Sequence, residues 1–350
     1  TPAPTVAPTA APTKAPATAP TAAPTAVPTA APTKPTGPTA AEFFKGKVVN
    51  LIVPFSPGGG FDQYPRLAQP ALEAAMPGTA VVVQNVTGAG GIVGSNQIYR
   101  AAPDGLTIGI GNIGGLAFAA ATGVEGVQYD LGKYSWFGRV YAEPRAVVVN
   151  SKGTIKTVAD LKKLNRPVLA AATGVGSDDY YVTLVLIKGL GIPVKMATGY
   201  TSQPEANLGI LRGEVDVTVS SLGGVRSSVD GGDLQIMLFI ANAPVKDFEK
   251  VPLAKDQGLT GESLALVDSE YSVLELERSF IGPPGIPADR VEFLRAAFNK
   301  VFTDQATLDI LTKAKRPVVW LDGKTCEQKI LGVVANSKLL SEVLKAEMAK

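Results

Sequence analysis

Four glycine-rich stretches carry most of the chemistry this sequence offers. They are SPGGGFD at 56–62, NVTGAGGIVG at 85–94, GIGNIGG at 109–115 and ATGVGSDD at 172–179, and each follows an apolar, strand-like run. Glycine loses more conformational freedom on folding than any other residue, so three in a row at Gly58, Gly59 and Gly60 need a reason. A bare backbone leading into a helix supplies one, because its N–H groups and the helix dipole together favour an anion. None of the four stretches contains Lys or Arg, and the nearest along the chain is Arg66. Phosphates and multiply charged anions normally recruit arginine forks, whereas a carboxylate can be held by amides, hydroxyls and water. The expected ligand is therefore a small carboxylate gripped by backbone.

Other chemistries are excluded or weakened by what is missing. The chain has no histidine, which removes Ser-His-Asp and Cys-His catalysis and argues against a zinc site. Its one cysteine, Cys326, has no internal partner and is expected to be a packing residue. Gly109, Gly111 and Gly114 spell G-x-G-x-x-G after a strand, with Asp130 about twenty residues on. That strand is the third of its lobe and not the first, so a nucleotide-dependent α/β enzyme stands only as an alternative. No G-x-x-x-x-G-K-[ST] occurs, and neither a metal nor a cofactor is expected.

The elements that must position these turns alternate between strand and helix. Strands are expected at 48–55, 81–85 and 106–110, with helices at 62–75 and 91–101 between them. A second series follows, with strands at 146–149, 168–172, 194–198, 215–219 and 234–240, and helices at 177–188 and 204–212. Thr157 and Asp160 form a capping-box-like start to a short helix. Repeated βα units imply a largely parallel sheet with helices on both faces. In open sheets of that kind ligands bind beyond the carboxyl ends of the strands, where glycine turns gather. Past residue 244 the pattern loosens into RSFIGPPGIP and long amphipathic helices at 288–302 and 325–344.

Ahead of this body, residues 1–40 are almost wholly Thr, Ala and Pro, with Lys14 and Lys34 as their only charges. Such a tract has nothing to bury and is expected to be an extended linker, of the kind found in exported, often O-glycosylated stalks. The chain starts at Thr1 without an apolar leader, so any signal peptide is expected to be absent or already removed. A lipoprotein or similar surface tether is the expected setting. Setting the two linker lysines apart from the total of 33 basic residues leaves 31, against 31 acidic ones. A neutral body gives no electrostatic footprint for nucleic acid. With no membrane-spanning apolar run, the body is expected to be soluble.

The stretch NLIVPFSPGGGFDQYPRLAQPALEAAMPGTAVVVQNVTGAGGIVGSNQIYRAAPDGLTIGIGN resembles the first lobe of the substrate-binding proteins of tripartite tricarboxylate transporters, the Bug or TctC group. The resemblance continues through GVGS, LRGEVDV, VPLAKDQGL and FIGPPGIPADRVEFLRAAFNKVF, and covers residues 45–345. It implies an α/β, two-lobed periplasmic-binding-protein-like fold of type II, hinged about a ligand cleft. Lobe one would comprise 43–144 and 244–350, lobe two 145–243, and residues 1–42 the linker. It implies a non-catalytic, monomeric receptor that hands a carboxylate to membrane transporter subunits. A sensor subunit that binds the same ligand is a further alternative.

The family's ligand grip maps onto three segments here. They are the loop of Ser56, Pro57, Gly58, Gly59, Gly60, Phe61 and Asp62, the loop of Thr87, Gly88, Ala89, Gly90 and Gly91, and the helix start at Thr173, Gly174, Val175, Gly176 and Ser177. Where the family often has small residues and then His after GVGS, this chain has Asp178, Asp179, Tyr180 and Tyr181. In a first helical turn the two aspartates can simply face solvent. Alternatively Asp178 or Asp179, with Tyr180, meets a donor group or ring of an amino, hydroxy or aromatic acid. Asn112 and Ile113, and Ser220 with Ser221, stand at strand ends and are further candidates. Phe55, Phe61 or Tyr64 is expected to cover the ligand, and Trp136 and Trp320 to pack.

Overall fold

The computed structural model describes residues 37–173, 177–200, 202–241 and 243–348. The chain divides into Thr1–Pro38 and Thr39–Lys350, and every element below lies in the second unit. Its first helix, α1 (Ala40–Phe44), opens on a capping box in which Thr39 accepts the Glu42 amide and Glu42 accepts the Thr39 N–H at 2.8 Å. Residues 40–42 of the stretch expected to be linker are thus helical, because Thr39 and Glu42 satisfy each other's end groups.

The first series runs β1 (Val48–Val53), α2 (Gly60–Ala75), β2 (Ala80–Asn85), α3 (Ile92–Tyr99), β3 (Thr107–Gly111), α4 (Ile113–Thr122) and β4 (Ser135–Arg139). The second runs β5 (Arg145–Asn150), α5 (Val158–Lys162), β6 (Val168–Ala171), α6 (Asp178–Gly189), β7 (Val194–Ala197), α7 (Gln203–Leu211), β8 (Val217–Ser221), α8 (Leu222–Asp230) and β9 (Leu234–Ile240). The chain closes with α9 (Gly261–Leu274), β10 (Ser279–Gly282), α10 (Ala288–Thr303), α11 (Gln305–Lys313), β11 (Leu321–Asp322) and α12 (Gly323–Met348).

Two sheets result, ordered β11-β4-β10-β3-β1-β2 and β7-β6-β8-β5-β9. Central strands such as β5, where Ala146 to Val149 are all fully buried, are continuous apolar runs because helices cover both faces. The largely parallel expectation needs correction: both sheets are mixed. In the first, β10 runs antiparallel between β3 and β4, and in the second β5 runs antiparallel to β8 and β9. Helix α9 was not anticipated from sequence. It packs against both α6 and α12, so its apolar residues do not fall on one stripe.

This topology brings two sheet edges together. The ends of β1, β2, β3 and β4 and the start of β10 share one edge of the first sheet, and the ends of β6, β7, β8 and β9 and the start of β5 share one edge of the second. Residues 140–144 alone join β4 to β5, so these edges must lie close to each other. Below them one apolar core is continuous through α4, α6, α9 and α12, with the Phe118 and Tyr181 rings 5.3 Å apart where α4 meets α6.

Candidate functional site

The loop from β1 into α2 is held from within. Asp62 is 2% exposed, and its carboxylate accepts the Gly58 N–H, the Arg66 Nε–H and the Asn85 side-chain amide, each at 2.8 Å. Burial alone would raise this carboxyl, but those hydrogen bonds and the Arg66 charge outweigh it and hold it below its ordinary value. Asp62, expected in the grip, is thus a buried brace that organises the loop. Ser56, Pro57, Gly58 and Gly59 are exposed, while the half-buried rings of Phe55 and Phe61 pack at a tilt of 35° with centroids 4.6 Å apart. Tyr64 is core, its hydroxyl bonded to the Pro317 carbonyl at 2.6 Å.

The second loop is unusual in its backbone. Gly88, Ala89, Gly90 and Gly91 all have positive φ, at 136°, 46°, 64° and 98°, a path that side chains resist. Thr87, Gly88, Ala89 and Gly90 are exposed, whereas Gly91 is buried, and a Cβ on it would stand 3.1 Å from Phe55. The first two glycine loops therefore meet at that ring.

Helix capping differs between the two edges, complete at the second and confined to α4 at the first. Among the described residues, six helices start there, and four have side-chain caps: Asn112 on α4, Ser177 on α6, Ser202 on α7 and Ser221 on α8. The other two, α2 and α3, begin at Gly59 and Gly91 with no side-chain cap. The leading amides of a helix have no partner within it. At α3 the preceding turn takes up two of them, the Ile92 N–H on the Ala89 carbonyl and the Val93 N–H on that of Gly88, whereas α2 starts with no such turn ahead of it.

Across from them the second sheet offers a small polar pocket of about 190 Å³, lined in part by Arg145, Asp179, Gln203, Ser220 and Ser221. Ser220 is 3% exposed and its hydroxyl has no hydrogen-bond partner among the described residues. Asp179 is buried and accepts the Thr173 amide and hydroxyl at 2.7 and 2.8 Å, so it braces Thr173 and does not face open solvent. Asp178 opens α6. Gly174, Val175 and Gly176 lie outside the described residues.

Two further candidates are core residues. Ile113 is fully buried and Tyr180 nearly so, its ring edge-on to Tyr181 at 5.6 Å. Proximity to a turn placed them near the site in sequence, but the helix face turns them inward. The G-x-G-x-x-G stretch also has a packing origin: Gly109 lies within β3, where a Cβ would come 2.7 Å from the Ile52 carbonyl oxygen. Trp136 is fully buried, and Trp320 stacks on Phe302 at 5.2 Å.

A group of charges was missed in the sequence. Arg278 donates to Glu143 at 3.1 Å and lies 3.6 Å from Glu277, which also pairs with Arg145 at 3.4 Å. These residues come from the two chain crossings between the sheets. The Arg278 guanidinium stacks 5.0 Å from the Phe61 ring centroid and lies 3.7 Å from where a Cβ on Gly60 would stand. The turn without a cation in sequence thus has one in space. Burial opposes its charge, but Glu277 and Glu143 more than offset that. No group of His, Cys, Asp and Glu able to hold a metal is found among the described residues.

The model of the tripartite tricarboxylate transporter family receptor, TctC, matches residues 66–344. The chain belongs to this family. Its second glycine loop and the α6 start fall inside the TctC match, and the first loop lies just ahead of it. BugT of Bordetella pertussis is 25% identical over 229 residues, 63% of this chain and 69% of BugT. Among solved structures, a ligand-free TctC solute binding protein from Polaromonas superposes with a TM-score of 0.71 at 20% identity, covering 86% of this chain and 98% of that one. MatC from Rhodopseudomonas palustris, solved with bound malate, gives 0.61 at 19% identity over 84% and 99%. The fold is that of the two-lobed periplasmic binding proteins, and the TctC family is one of binding proteins and not of enzymes. No described helix is long and apolar enough to cross a membrane.

Proposed function

We propose that this chain is an extracytoplasmic receptor that captures a small organic carboxylate between its facing sheet edges and delivers it to the membrane subunits of a tripartite tricarboxylate transporter. The observation that carries this reading is the pair of uncapped helix starts, at Gly59 and Gly91, opposite serine-capped ones. The leading amides of α2 and the positive dipole ends of both helices favour a carboxylate, and the Ser177 and Ser220 segment meets the rest of the molecule from the second sheet. Binding closes the cleft by favouring the conformation in which both edges touch the ligand. The malate held by MatC is a ligand of this chemical class. The Thr/Ala/Pro tract serves as the tether to the cell surface, with a reach of about 3.1 Å per residue.

A thermal-shift panel of mono- and dicarboxylates, hydroxy, amino and aromatic acids, and nucleotides tests the reading. Stabilisation by one or more acids is expected; stabilisation by nucleotides alone would sink it. Uptake of that acid by cells carrying the neighbouring membrane subunits, with and without this chain, then tests delivery.

A further inference from the structure

Helix α12 carries two different faces. The inner one is seated in the core, with Cys326, Ile330 and Leu344 fully buried and Val333 nearly so. Around the helix from it, Lys324, Glu327, Leu331, Val334, Lys338 and Ser341 follow one another at alternating gaps of three and four residues, and each is exposed or partly exposed. That spacing lines them up in one stripe, the pattern along which two helices pack side by side.

The middle of the stripe is apolar. Leu331 is 53% exposed and Val334 40%. A Cβ on Gly132 would lie 3.7 Å from the Leu331 side chain and 3.9 Å from that of Val334, so the turn Leu131–Lys133 stands beside them without covering them. A cavity of about 690 Å³ continues this surface towards α4, with Ala117, Ala121 and Leu131 in its wall next to Val333 and Val334. Single apolar side chains on a surface need no explanation, but an adjacent pair beside an apolar hollow marks a place of contact.

The charges at either end of the stripe select the partner. From its N-terminal end the order is Lys324, Glu327, the apolar pair, Lys338 and then Glu342 beside Ser341, hence positive, negative, apolar, positive, negative. Turned end over end, that order meets itself with every sign opposed. In an antiparallel pair of α12 helices Leu331 faces Val334 of the second copy, Glu327 faces its Lys338, and Lys324 faces its Ser341 and Glu342, all about one two-fold axis level with Gly332 and Val333. Within the chain Lys324 meets Glu292 at 3.1 Å, Glu327 meets Arg295 at 2.7 Å and Lys338 meets Glu342 at 3.8 Å. Such surface pairs add little and are readily shared or exchanged.

We propose that this stripe is the interface of a homodimer, in which a second copy of the chain lays its own α12 antiparallel along it. The contact is isologous, as a two-fold axis requires. It departs from the monomer that the family resemblance implied, and it does not depend on what the cleft binds. With two large apolar side chains from each copy at its centre the interface is small, so dimer and monomer are expected to exchange.

Sedimentation equilibrium of the full chain between about 1 and 500 μM, the range in which small interfaces associate, tests it. Reversible dimerisation is expected; a monomer throughout overturns the proposal. Lys338→Glu and Glu327→Lys each set like charges against one another across the pair and are expected to weaken the dimer about tenfold. Both changes in one chain restore opposite charges and should recover wild-type affinity to within about threefold. Leu331→Ser/Val334→Ser is expected to abolish the dimer while the melting temperature stays within about 2 °C of wild type, since both side chains are exposed. A dimer that survives that variant, or charge variants whose losses add when combined, overturns the assignment to α12.

Discussion

The carboxylate of Asp62 accepts the backbone N–H of Gly58 at 2.8 Å, four residues back along the chain. That bond folds the first glycine loop over the start of α2, and the bonds from Arg66 and Asn85 complete it. Asp62→Ala is expected to cost about 2–3 kcal/mol, the range for hydrogen bonds to a buried charge, read as a lower urea midpoint. The folded carboxyl is held below its ordinary value of 3.8, so its contribution is full above that pH and fades as pH falls through the lowered value. The gap between wild type and variant should shrink in acid; a gap that stays constant would contradict the assignment.

The glycines themselves separate binding from folding. A Cβ on Gly59 would meet only the Ser56 carbonyl oxygen, at 3.7 Å, and φ there is −74°. Gly59→Val is expected to melt within about 2 °C of wild type, as surface substitutions usually do, yet to lose all stabilisation by the acid that the thermal-shift panel identifies. Gly90 has open space around it but φ of +64°, so Gly90→Val should also cost about 1–2 kcal/mol of backbone strain. Normal binding by both variants would refute the grip.

Glu277 is 2% exposed and stands between Arg145 and Arg278. Removing one partner of a buried ion pair leaves the opposite charge uncompensated, which costs about 3–5 kcal/mol. Glu277→Ala is expected to lose stability on that scale, with Glu277→Gln losing less because it keeps a hydrogen-bond acceptor. Denaturant midpoints for the two variants check the order.

Glu270 on α9 is fully buried, and neither carboxyl oxygen has a hydrogen-bond partner among the described residues. Burial pushes this carboxyl well above 4.5, with Arg145 opposing. A raised acid binds its proton more tightly when folded, so stability declines as pH rises from about 4.5 towards the raised value and stays lower above it. Glu270→Gln cannot ionise and escapes that decline. Its advantage over wild type should therefore grow with pH across urea titrations between pH 5 and 9; an advantage independent of pH would count against it.

Cys326 is fully buried, and burial pushes its thiol up to about 12. The native chain is expected to resist a thiol reagent for hours and to take up one equivalent in guanidinium. Rapid labelling of the native chain would show that α12 is not seated as described.

What could be read in the sequence was what lies close along the chain. Apolar runs broken by glycine located the ends of β1, β2 and β3, because strand and turn are specified by neighbouring residues. Arg278 was illegible for the opposite reason. In ERSF it looks like any surface arginine, and only the insertion of β10 between β3 and β4 carries it to Gly60. Ile113 and Tyr180 are buried where their nearness to a turn suggested cleft-lining positions, because that nearness does not say which way a helix face points. Asp62 sat at a helix start that suited either a ligand contact or a loop brace, and the bond that braces it comes from Asn85 on the neighbouring strand, 23 residues away in sequence.

The place of β10 also sets an order of assembly. Strands β5 to β9 all come from residues 145–240, so the second sheet can pair within one unbroken stretch of chain. The first cannot close until Phe280 and Ile281 reach Ile110 and Gly109, a pairing that spans the whole second sheet in sequence. Loop-closure entropy makes such distant pairings slow. During refolding the second sheet is therefore expected to gain protection from hydrogen exchange first, with β3 and β4 left with open edges until β10 pairs. Those edges are where a chain cut short before Ser279 would stick to its neighbours.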